Sequence, residues 1–215
     1  MAEGSGGMSG LTARAYVFFA SRVRAVRDLY AQAAEDAASL APGGEVLDVG
    51  SGPGLLEVEL ASRPEGLRVV GLDVSETMVK IAERRLGKTG LSERVRFVLG
   101  DAGNLPVGLG SFDLVLSTLA LHHFPDPAGS LLEMCRVLKP GGTVLVYDIR
   151  KDITREVRDE FRRRYGRVVA FGLGFVTRHA ELTIDEAKQL TSSIGNCSTA
   201  TVEETGIYLR IRMRR

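Results

Sequence analysis

The stretch Val46-Leu47-Asp48-Val49-Gly50-Ser51-Gly52-Pro53-Gly54 joins a short apolar run to a glycine-rich segment, and a helical pattern follows at 55–62. Glycines are needed where a backbone turns tightly and where a ligand must approach without a Cβ in its way. The free N–H groups at the start of the following helix favour an anionic or carboxylate-bearing ligand. The stretch therefore predicts a buried strand, a ligand-binding turn and a helix in succession.

Strand and helix patterns alternate from this stretch onward. Apolar runs that predict buried strands lie at 45–49, 67–72, 95–99, 112–116 and 143–147. Helical patterns lie between most of them, at 55–62, 76–86 and 127–138. Such alternation requires right-handed crossovers and a mostly parallel sheet. We therefore predict a doubly wound α/β fold, closed by an antiparallel hairpin at 197–204 and 207–213.

The length of 215 residues is enough for one domain with a sizeable core. Residues 1–10 are rich in glycine and serine and are expected to form a flexible tail, in which Met8 is an alternative start. The remaining chain, 11–215, is predicted to divide into an N-terminal helical cap at 11–44 and a cofactor-binding core at 45–149. A basic helix with a substrate lid is expected at 150–182, including an apolar loop at 171–175, and a final helix and hairpin at 183–215.

The composition is that of a soluble globular protein, with 44% hydrophobic and 26% charged residues. A net charge of +1 gives no overall attraction to nucleic acid or membranes. The tail has no apolar segment typical of a secretory signal, so we expect a cytoplasmic protein without a membrane span. The two cysteines, Cys135 and Cys197, are interpreted as buried thiols, with a disulfide as the alternative.

Two carboxylates, Asp48 and Asp73, indicate which ligand is bound by the glycine-rich turn at 50–54, here called the glycine turn. Asp73 ends the second predicted strand, where an acidic side chain can accept hydrogen bonds from both ribose hydroxyls. In a dinucleotide fingerprint the third glycine follows the second by three residues, whereas Gly54 follows Gly52 by two. Asp48 would repel a pyrophosphate and attract an amine. The residues therefore predict a ligand with adenosine at one end and an amino acid at the other.

Five motifs in this order carry a family resemblance. They are LDVGSGPG at 47–54, VGLDVSETM at 70–78, GDA at 100–102 with Leu105-Pro106, FDLV at 112–115 leading to LHHF at 121–124, and LKPGG at 138–142. The segment resembles the class I S-adenosylmethionine-dependent methyltransferases, closest to the small-molecule group with ubiquinone/menaquinone-biosynthesis-like enzymes. The resemblance covers about half of the chain. It implies in-line methyl transfer from S-adenosyl-L-methionine to a small-molecule acceptor, and a Rossmann-like seven-stranded sheet with the last strand antiparallel.

The resemblance also implies a role for each matching residue. The methionine end of the cofactor would lie against Gly50, Ser51 and Gly52, with Asp48 near its amino group and Ser117 contributing backbone contacts. Asp73 would bind the ribose hydroxyls. The adenine would be held by Val74, Met78, Asp101 and Ala102. Local alternatives are a helix-capping role for Asp73, a turn role for Asp101 and an ordinary core position for Met78.

The acceptor side is less well defined. His122 and His123 are candidate catalytic residues, one of them as a base or hydrogen-bond partner of the substrate. Adjacent histidines point apart and no third ligand is near, so no metal site is predicted. In resembling proteins the N-terminal helix and the segment after Asp148 surround the acceptor. Tyr16, Phe19 and Phe124 are therefore candidate residues lining the substrate.

Residues 150–167 are strongly basic and leave other functions open. Arg150, Lys151, Arg155, Arg158, Arg162, Arg163, Arg164 and Arg167 alternate with four acidic residues at helical spacing, which favours a solvated face. Arg210, Arg212, Arg214 and Arg215 are able to extend this surface. One alternative function is therefore an RNA or protein methyltransferase that uses the basic surface. Another is a catalytically silent partner subunit that binds S-adenosylmethionine.

Overall fold

A seven-stranded sheet forms the centre of the molecule. The computed structural model describes residues 23–64, 66–106, 108, 111–176, 180 and 182–215, with the side chains at 172–176 left out. The strands are β1 Glu45–Val49, β2 Arg68–Asp73, β3 Val95–Leu99, β4 Phe112–Thr118, β5 Leu138–Ile149, β6 Thr199–Thr205 and β7 Tyr208–Arg214. Their order across the sheet is β3-β2-β1-β4-β5-β7-β6.

The direction of the strands agrees with the predicted fold class. β1 pairs in parallel with β2 and β4, and the outer pairs β2–β3 and β4–β5 are also parallel. β7 is antiparallel to both of its neighbours, β5 and β6. The chain leaves β1 toward β2 on one side and reaches β4 on the other, so the strand order reverses beside β1. In open α/β sheets the ligand crevice lies at this reversal.

Helices cover both faces of the sheet, as the doubly wound prediction requires. Within the described residues they are α1 Arg24–Leu40, α2 Leu55–Ala61, α3 Glu76–Leu86, α4 Pro127–Val137, α5 Arg155–Tyr165, α6 Arg167–Val176 and α7 Ile184–Ser192. Alternate residues of each central strand enter two cores: Leu47 packs with α4 and α7, and Val46 packs with α1, α2 and α3. The strands are buried on both faces, which explains their continuous apolar character.

Side-chain caps fix several helix starts where the sequence predicts them. Ser75 accepts a hydrogen bond from the N–H of Met78 at the start of α3, and Asp126 accepts from Gly129 at the start of α4. Thr183 and Glu186 form a reciprocal capping box at the start of α7. Each cap satisfies an N–H group that has no partner within its helix, which stabilises the helix by about 1 kcal/mol.

Two predicted strand starts are wrong by two residues or more. We expected the fifth strand at 143–147, but β5 begins at Leu138, directly after α4. The pairing of β4 with β5 shifts between Phe112↔Leu138 and Leu114↔Thr143, so residues 139–142 form an irregular insertion inside β5. The first hairpin strand begins at Thr199 rather than at Cys197.

The apolar segment at 171–175 is helical and not a loop. It lies in α6, which follows α5 after Gly166. The glycines at 172 and 174 suggested a loop, but glycine costs only about 1 kcal/mol in a helix interior and a continuous apolar run can offset it. The exposed side chains of Val168 and Phe171 lie on this helix.

The N-terminal part of the cap lies outside the described residues. Residues 1–22 include the predicted tail and the first half of the helix expected at 11–40, and α1 begins at Arg24. Among the described helices, none has the length and apolar character needed to cross a bilayer.

The two cysteines are joined in a disulfide, which corrects the preferred interpretation as free thiols. Cys135 on α4 is fully buried, and its Cα lies 6.0 Å from that of Cys197, which precedes β6. The bond spans 62 residues of sequence. It ties the helix that follows β4 to the C-terminal hairpin within one core.

Reduction of this disulfide is expected to lower the free energy of unfolding by roughly 2–4 kcal/mol, because the unfolded chain loses a long covalent loop. For a chain of this size the melting temperature should fall by about 5–15 °C. The measurement is thermal unfolding with and without reductant. Cys197→Ser is the control and should melt like the reduced protein in both conditions. Two reactive thiols in the unreduced, denatured protein would contradict the bond.

Candidate functional site

The carboxyl ends of β1 and β2 hold the glycine turn in a fixed shape. The N–H groups of Gly50 and Ser51 donate to the carbonyl oxygen of Leu72, at 2.8 and 3.0 Å. One carboxylate oxygen of Asp73 accepts from the N–H of Gly52 at 2.8 Å, and the other accepts from Ser75 at 2.8 Å. Asp73 therefore joins the turn to Ser75, which is the residue that caps α3.

The segment after β4 packs over the glycine turn. Gly50 has a φ of +83°, and a Cβ on it would lie 2.4 Å from the Cβ of Ala120 and 3.7 Å from the ring of Phe124. A side chain at Gly50 is therefore excluded by space as well as by conformation. Leu119 has a φ of +57°, an uncommon conformation for a large side chain. Leu119 lies between β4 and the residues Ala120 and Phe124 that pack against Gly50, and strained backbone of this kind is typical of functional sites.

Several buried polar atoms at this edge have no hydrogen-bond partner among the described residues. They include Oδ1 of Asp48, the hydroxyl oxygens of Ser51 and Ser117 and that of Thr118. Buried polar groups are normally paired, so unpaired ones in one place indicate a missing polar ligand. Nothing lies within 4 Å of where a Cβ on Gly52 would be, which leaves room above the turn. This set of donors and acceptors fits the zwitterionic end of S-adenosylmethionine.

The residues predicted for the adenosine end lie on the β2 and β3 side of the turn. Val74 is 60% exposed, whereas Met78 is 4% exposed. Ala102 is buried, and Asp101 accepts a hydrogen bond from the N–H of Gly103 at 2.8 Å. Asp101 thus has the turn role that we considered as an alternative.

His122 and Asp148 form a buried pair at the ends of β4 and β5. Nδ1 of His122 lies 2.7 Å from Oδ1 of Asp148, and the N–H of His122 donates to Oδ2 at 2.9 Å. Their side chains are 8% and 4% exposed. Since a carboxylate only accepts, Nδ1 carries the proton and Nε2 is left to accept another. The pair lines a small cleft with Leu121, Pro127, Ile149, Leu182 and Leu209.

The neighbouring His123 differs in its environment. It is exposed, and the two imidazole rings lie 3.9 Å apart and are tilted by 49°. Both belong to a short 3-10 turn at Leu121–His123. The sequence did not separate the two histidines, but the structure pairs only His122 with Asp148.

A second pair of carboxyl groups lies beneath the glycine turn. Asp48 and Glu57 are both buried, and neither forms an ion pair among the described residues. Burial raises the pKa of Asp48 to about 7, with a smaller contribution from the charge of Asp73 and an opposing one from a hydrogen bond with Glu57. Burial, followed by the charge of Asp48, raises the pKa of Glu57 well above its usual range. Burial also raises the pKa of Asp73, against the hydrogen bonds from Ser75 and Gly52.

Sequence reasoning missed Asp148 and Glu57. Asp148 directly follows an apolar run, as Asp73 does, so the rule that singled out Asp73 would also have found it. Glu57 gave no such signal, because acidic residues in a short helix normally face solvent and the sequence does not separate Glu57 from Glu59.

Of the other residues singled out in the sequence, two lie outside the described residues and two form ion pairs elsewhere. Tyr16 and Phe19 belong to residues 1–22 and are not described. Arg150 is buried, where it pairs with Asp152 at 3.1 Å and with Glu204. Arg210 pairs with Asp36 at 3.0 Å and with Glu203. Neither arginine therefore belongs to an open basic surface.

Comparisons with known proteins agree on one kind of domain. A family model described as a methyltransferase domain matches residues 40–195. Methyltransferase GfsG of Streptomyces halstedii is 41% identical over 107 residues, which are 50% of this chain and 38% of that protein. The ubiquinone/menaquinone biosynthesis C-methyltransferase UbiE of Geotalea daltonii is 31% identical over 109 residues, 50% of this chain and 46% of that protein. The matched part spans less than half the length of these curated relatives.

A solved structure agrees over nearly the whole chain. It is a putative S-adenosyl-L-methionine-dependent methyltransferase from Methanococcus maripaludis, with a TM-score of 0.74 and 23% identity. The match covers 99% of this chain and 96% of that one. At this identity the likeness establishes the fold and gives no information on the acceptor.

Proposed function

Because this chain belongs to the methyltransferase-domain family and S-adenosyl-L-methionine is the cofactor of that family, we propose that it methylates a hydroxyl group of a small molecule. The family expected from the motifs is confirmed by the family match, and methyl transfer by this chain is the activity that we propose. The choice of a hydroxyl rests on one observation, the buried His122–Asp148 pair, whose histidine lies in the segment that packs on Gly50 through Ala120 and Phe124. An acceptor with a free lone pair, such as an amine, needs no such base.

In our proposal the glycine turn binds the amino-acid end of the cofactor. The unpaired hydroxyl groups of Ser51 and Ser117 and the carboxyl group of Asp48 are available to this end. Asp73 accepts ribose hydroxyls with the second lone pairs of its two oxygens, since each oxygen already binds one backbone N–H. The exposed side chain of Val74 packs against adenine.

His122 acts in our proposal as the general base. When bound, S-adenosylmethionine supplies a methyl group that is already activated by its sulfonium. Nε2 of His122 would take the hydroxyl proton as the acceptor oxygen bonds to the methyl carbon and the bond from that carbon to sulfur breaks, so that the cofactor leaves as the neutral thioether. Asp148 would position the ring and stabilise the imidazolium that results. Ala120 and Phe124, on either side of His122, pack against Gly50, which supports a base near the methionine end of the cofactor.

The acceptor is proposed to be enclosed by the cap and by helices α5 and α6. Phe124, which lies against the glycine turn, remains a candidate lining residue, and so do Tyr16 and Phe19. The division of the chain into cap, core, lid and C-terminal part stays a prediction. The exposed side chains of Val168 and Phe171 on α6 are consistent with an apolar acceptor in this region.

The basic surface gives less support to an RNA or protein acceptor. Besides the buried Arg150, part of it is neutralised: Arg162 pairs with Asp159 at 3.1 Å and Arg164 with Asp28 at 3.4 Å. Lys151, Arg158, Arg163 and Arg167, with Arg212 and Arg214 on β7, are exposed without an ion-pair partner among the described residues. The paired arginines and the net charge of +1 reduce the positive field that is available for the extended phosphate contacts of nucleic-acid binding.

Cytoplasmic location also stays a prediction. It is based on the composition of the tail and on the lack of a long apolar run. The disulfide between Cys135 and Cys197 is of a kind that is uncommon in reducing compartments.

Two experiments test the proposed function. Thermal-shift titration should show stabilisation by S-adenosylmethionine and by its demethylated product, and none by NAD. Incubation with S-adenosylmethionine labelled in the methyl group should then transfer label to the metabolite fraction of a cell extract, as a base-stable ether. Label in the RNA or protein fraction would overturn the small-molecule acceptor. Binding without transfer to any fraction would favour the silent partner subunit.

A further inference from the structure

Glu57 occupies a notch in the sheet next to Asp48. Asp48 on β1 pairs with Gly71 on β2, so the two residues are neighbours across the parallel strands. A Cβ on Gly71 would lie 2.6 Å from Oε1 of Glu57. The absence of a side chain at Gly71 therefore gives the carboxyl group of Glu57 its place beside Asp48.

This arrangement leaves two carboxyl groups together without an ion pair among the described residues. Apart from the interaction between the two carboxyl groups, neither oxygen of Glu57 nor Oδ1 of Asp48 has a hydrogen-bond partner there. The charged groups that face the pair are Asp73 on β2, which adds repulsion, and Arg85 on α3, which interacts with Glu57 through its charge. Nε of Arg85 donates to the carbonyl oxygen of Pro53 at 2.9 Å. Two adjacent buried carboxyl groups cannot both ionise readily, and one of them must carry a proton.

We propose that Glu57 is a positioning residue that stays protonated and donates a hydrogen bond from its carboxyl group to Asp48. As a result, only Asp48 ionises when the ammonium group of the cofactor binds. This inference rests on the proposed placement of the amino-acid end of the cofactor at the glycine turn. A neutral carboxyl group that acts as a hydrogen-bond donor is known to be stabilised by an apolar site. Binding then releases the proton of Asp48 to the solvent.

The sign of the pH dependence follows from linkage. The free protein holds a proton on Asp48 below about pH 7, because burial raises the pKa of this group to about 7. The bound ammonium group favours the carboxylate, so binding becomes tighter as the pH rises through the acid side of this range. The amino group of the cofactor stays charged below about pH 7, where it contributes no proton of its own.

The test is titration calorimetry of the whole chain in two buffers of different ionisation enthalpy. At pH 6, S-adenosylmethionine and its demethylated product should each release close to one proton, and the Kd for S-adenosylmethionine should fall about tenfold between pH 5.5 and 6.5. Methylthioadenosine, which lacks the amino acid, should bind without proton release. Asp48→Asn should bind S-adenosylmethionine with no proton release.

Two substitutions of Glu57 test whether its role is to donate a hydrogen bond to Asp48. Glu57→Gln keeps a donor and should bind S-adenosylmethionine within about threefold of the native protein, whereas Glu57→Leu loses the hydrogen bond and should bind about tenfold more weakly. Equal losses in both variants would overturn the proposal. If the native protein binds S-adenosylmethionine at pH 6 without releasing a proton, the proposal for Glu57 is overturned and the proposed function is not. This outcome can be read even if Glu57→Leu does not fold. No binding of S-adenosylmethionine at all would overturn the proposed function as well.

Discussion

Replacement of His122 by glutamine is expected to lower kcat for methyl transfer by about 100- to 10,000-fold, because the acceptor proton loses its base. Nδ1 of His122 is held 2.7 Å from Asp148, so the ring is already oriented for this role. The measurement is the rate of label transfer to the metabolite fraction.

The comparison variants separate this role from a structural one. Asp148→Asn should also lower kcat strongly, since an amide no longer selects the tautomer that leaves Nε2 free. Both variants should bind S-adenosylmethionine with nearly native affinity. His123→Gln should lose much less activity, because His123 is exposed and Asp148 pairs with His122. A larger loss in His123→Gln, or full activity in His122→Gln, would refute the assignment of the base.

Replacement of Asp73 by alanine is expected to weaken binding of S-adenosylmethionine by about 100-fold or more. The change removes the acceptor for the N–H groups of Gly52 and Ser75 and, in our proposal, the acceptor for the ribose hydroxyls. Hydrogen bonds to a charged group contribute about 1.5–3 kcal/mol each, so the loss of two ligand contacts accounts for this effect. The measurement is the Kd from calorimetry.

Asp113→Ala is the matched control for Asp73→Ala. Asp113 also accepts a hydrogen bond from a backbone N–H, that of Glu45 at 2.9 Å, and it pairs with Lys139 at 2.7 Å. It lies at the start of β4, the opposite edge of the sheet. Asp113→Ala should lose hydrogen bonds comparable to those lost in Asp73→Ala, but it should keep the native Kd for S-adenosylmethionine. Equal affinities in the two variants would show that Asp73 does not bind the cofactor.

The fold could be predicted from the sequence because its information is local and repeated. The run at 45–49 is apolar on both faces, and the punctuation at Ser75 and Asp126 fixes where helices begin. The errors arise where one segment has two acceptable local structures. The insertion at 139–142 lies within β5 because its ends still pair with β4, a tertiary condition that no local pattern records.

The cofactor side of the site was easier to predict than the acceptor side for a physical reason. Backbone shape at the glycine turn depends on residue types that are rare elsewhere, so Gly50 and Asp73 stand out in the sequence. The His122–Asp148 pair joins residues 26 positions apart, on the ends of different strands. The Asp48–Glu57 pair depends on the missing side chain of Gly71, and such a three-way fit is visible only in three dimensions.

The position of β7 between β5 and β6 constrains how the protein is made. During vectorial synthesis, the parallel part of the sheet leaves the ribosome complete, but β6 emerges before the strand that joins it to the rest. Until residues 208–214 follow, β5 keeps an open hydrogen-bonding edge and β6 has no neighbour. The nascent domain is therefore at greatest risk of intermolecular strand pairing after β6 has left the ribosome and before β7 has joined the sheet.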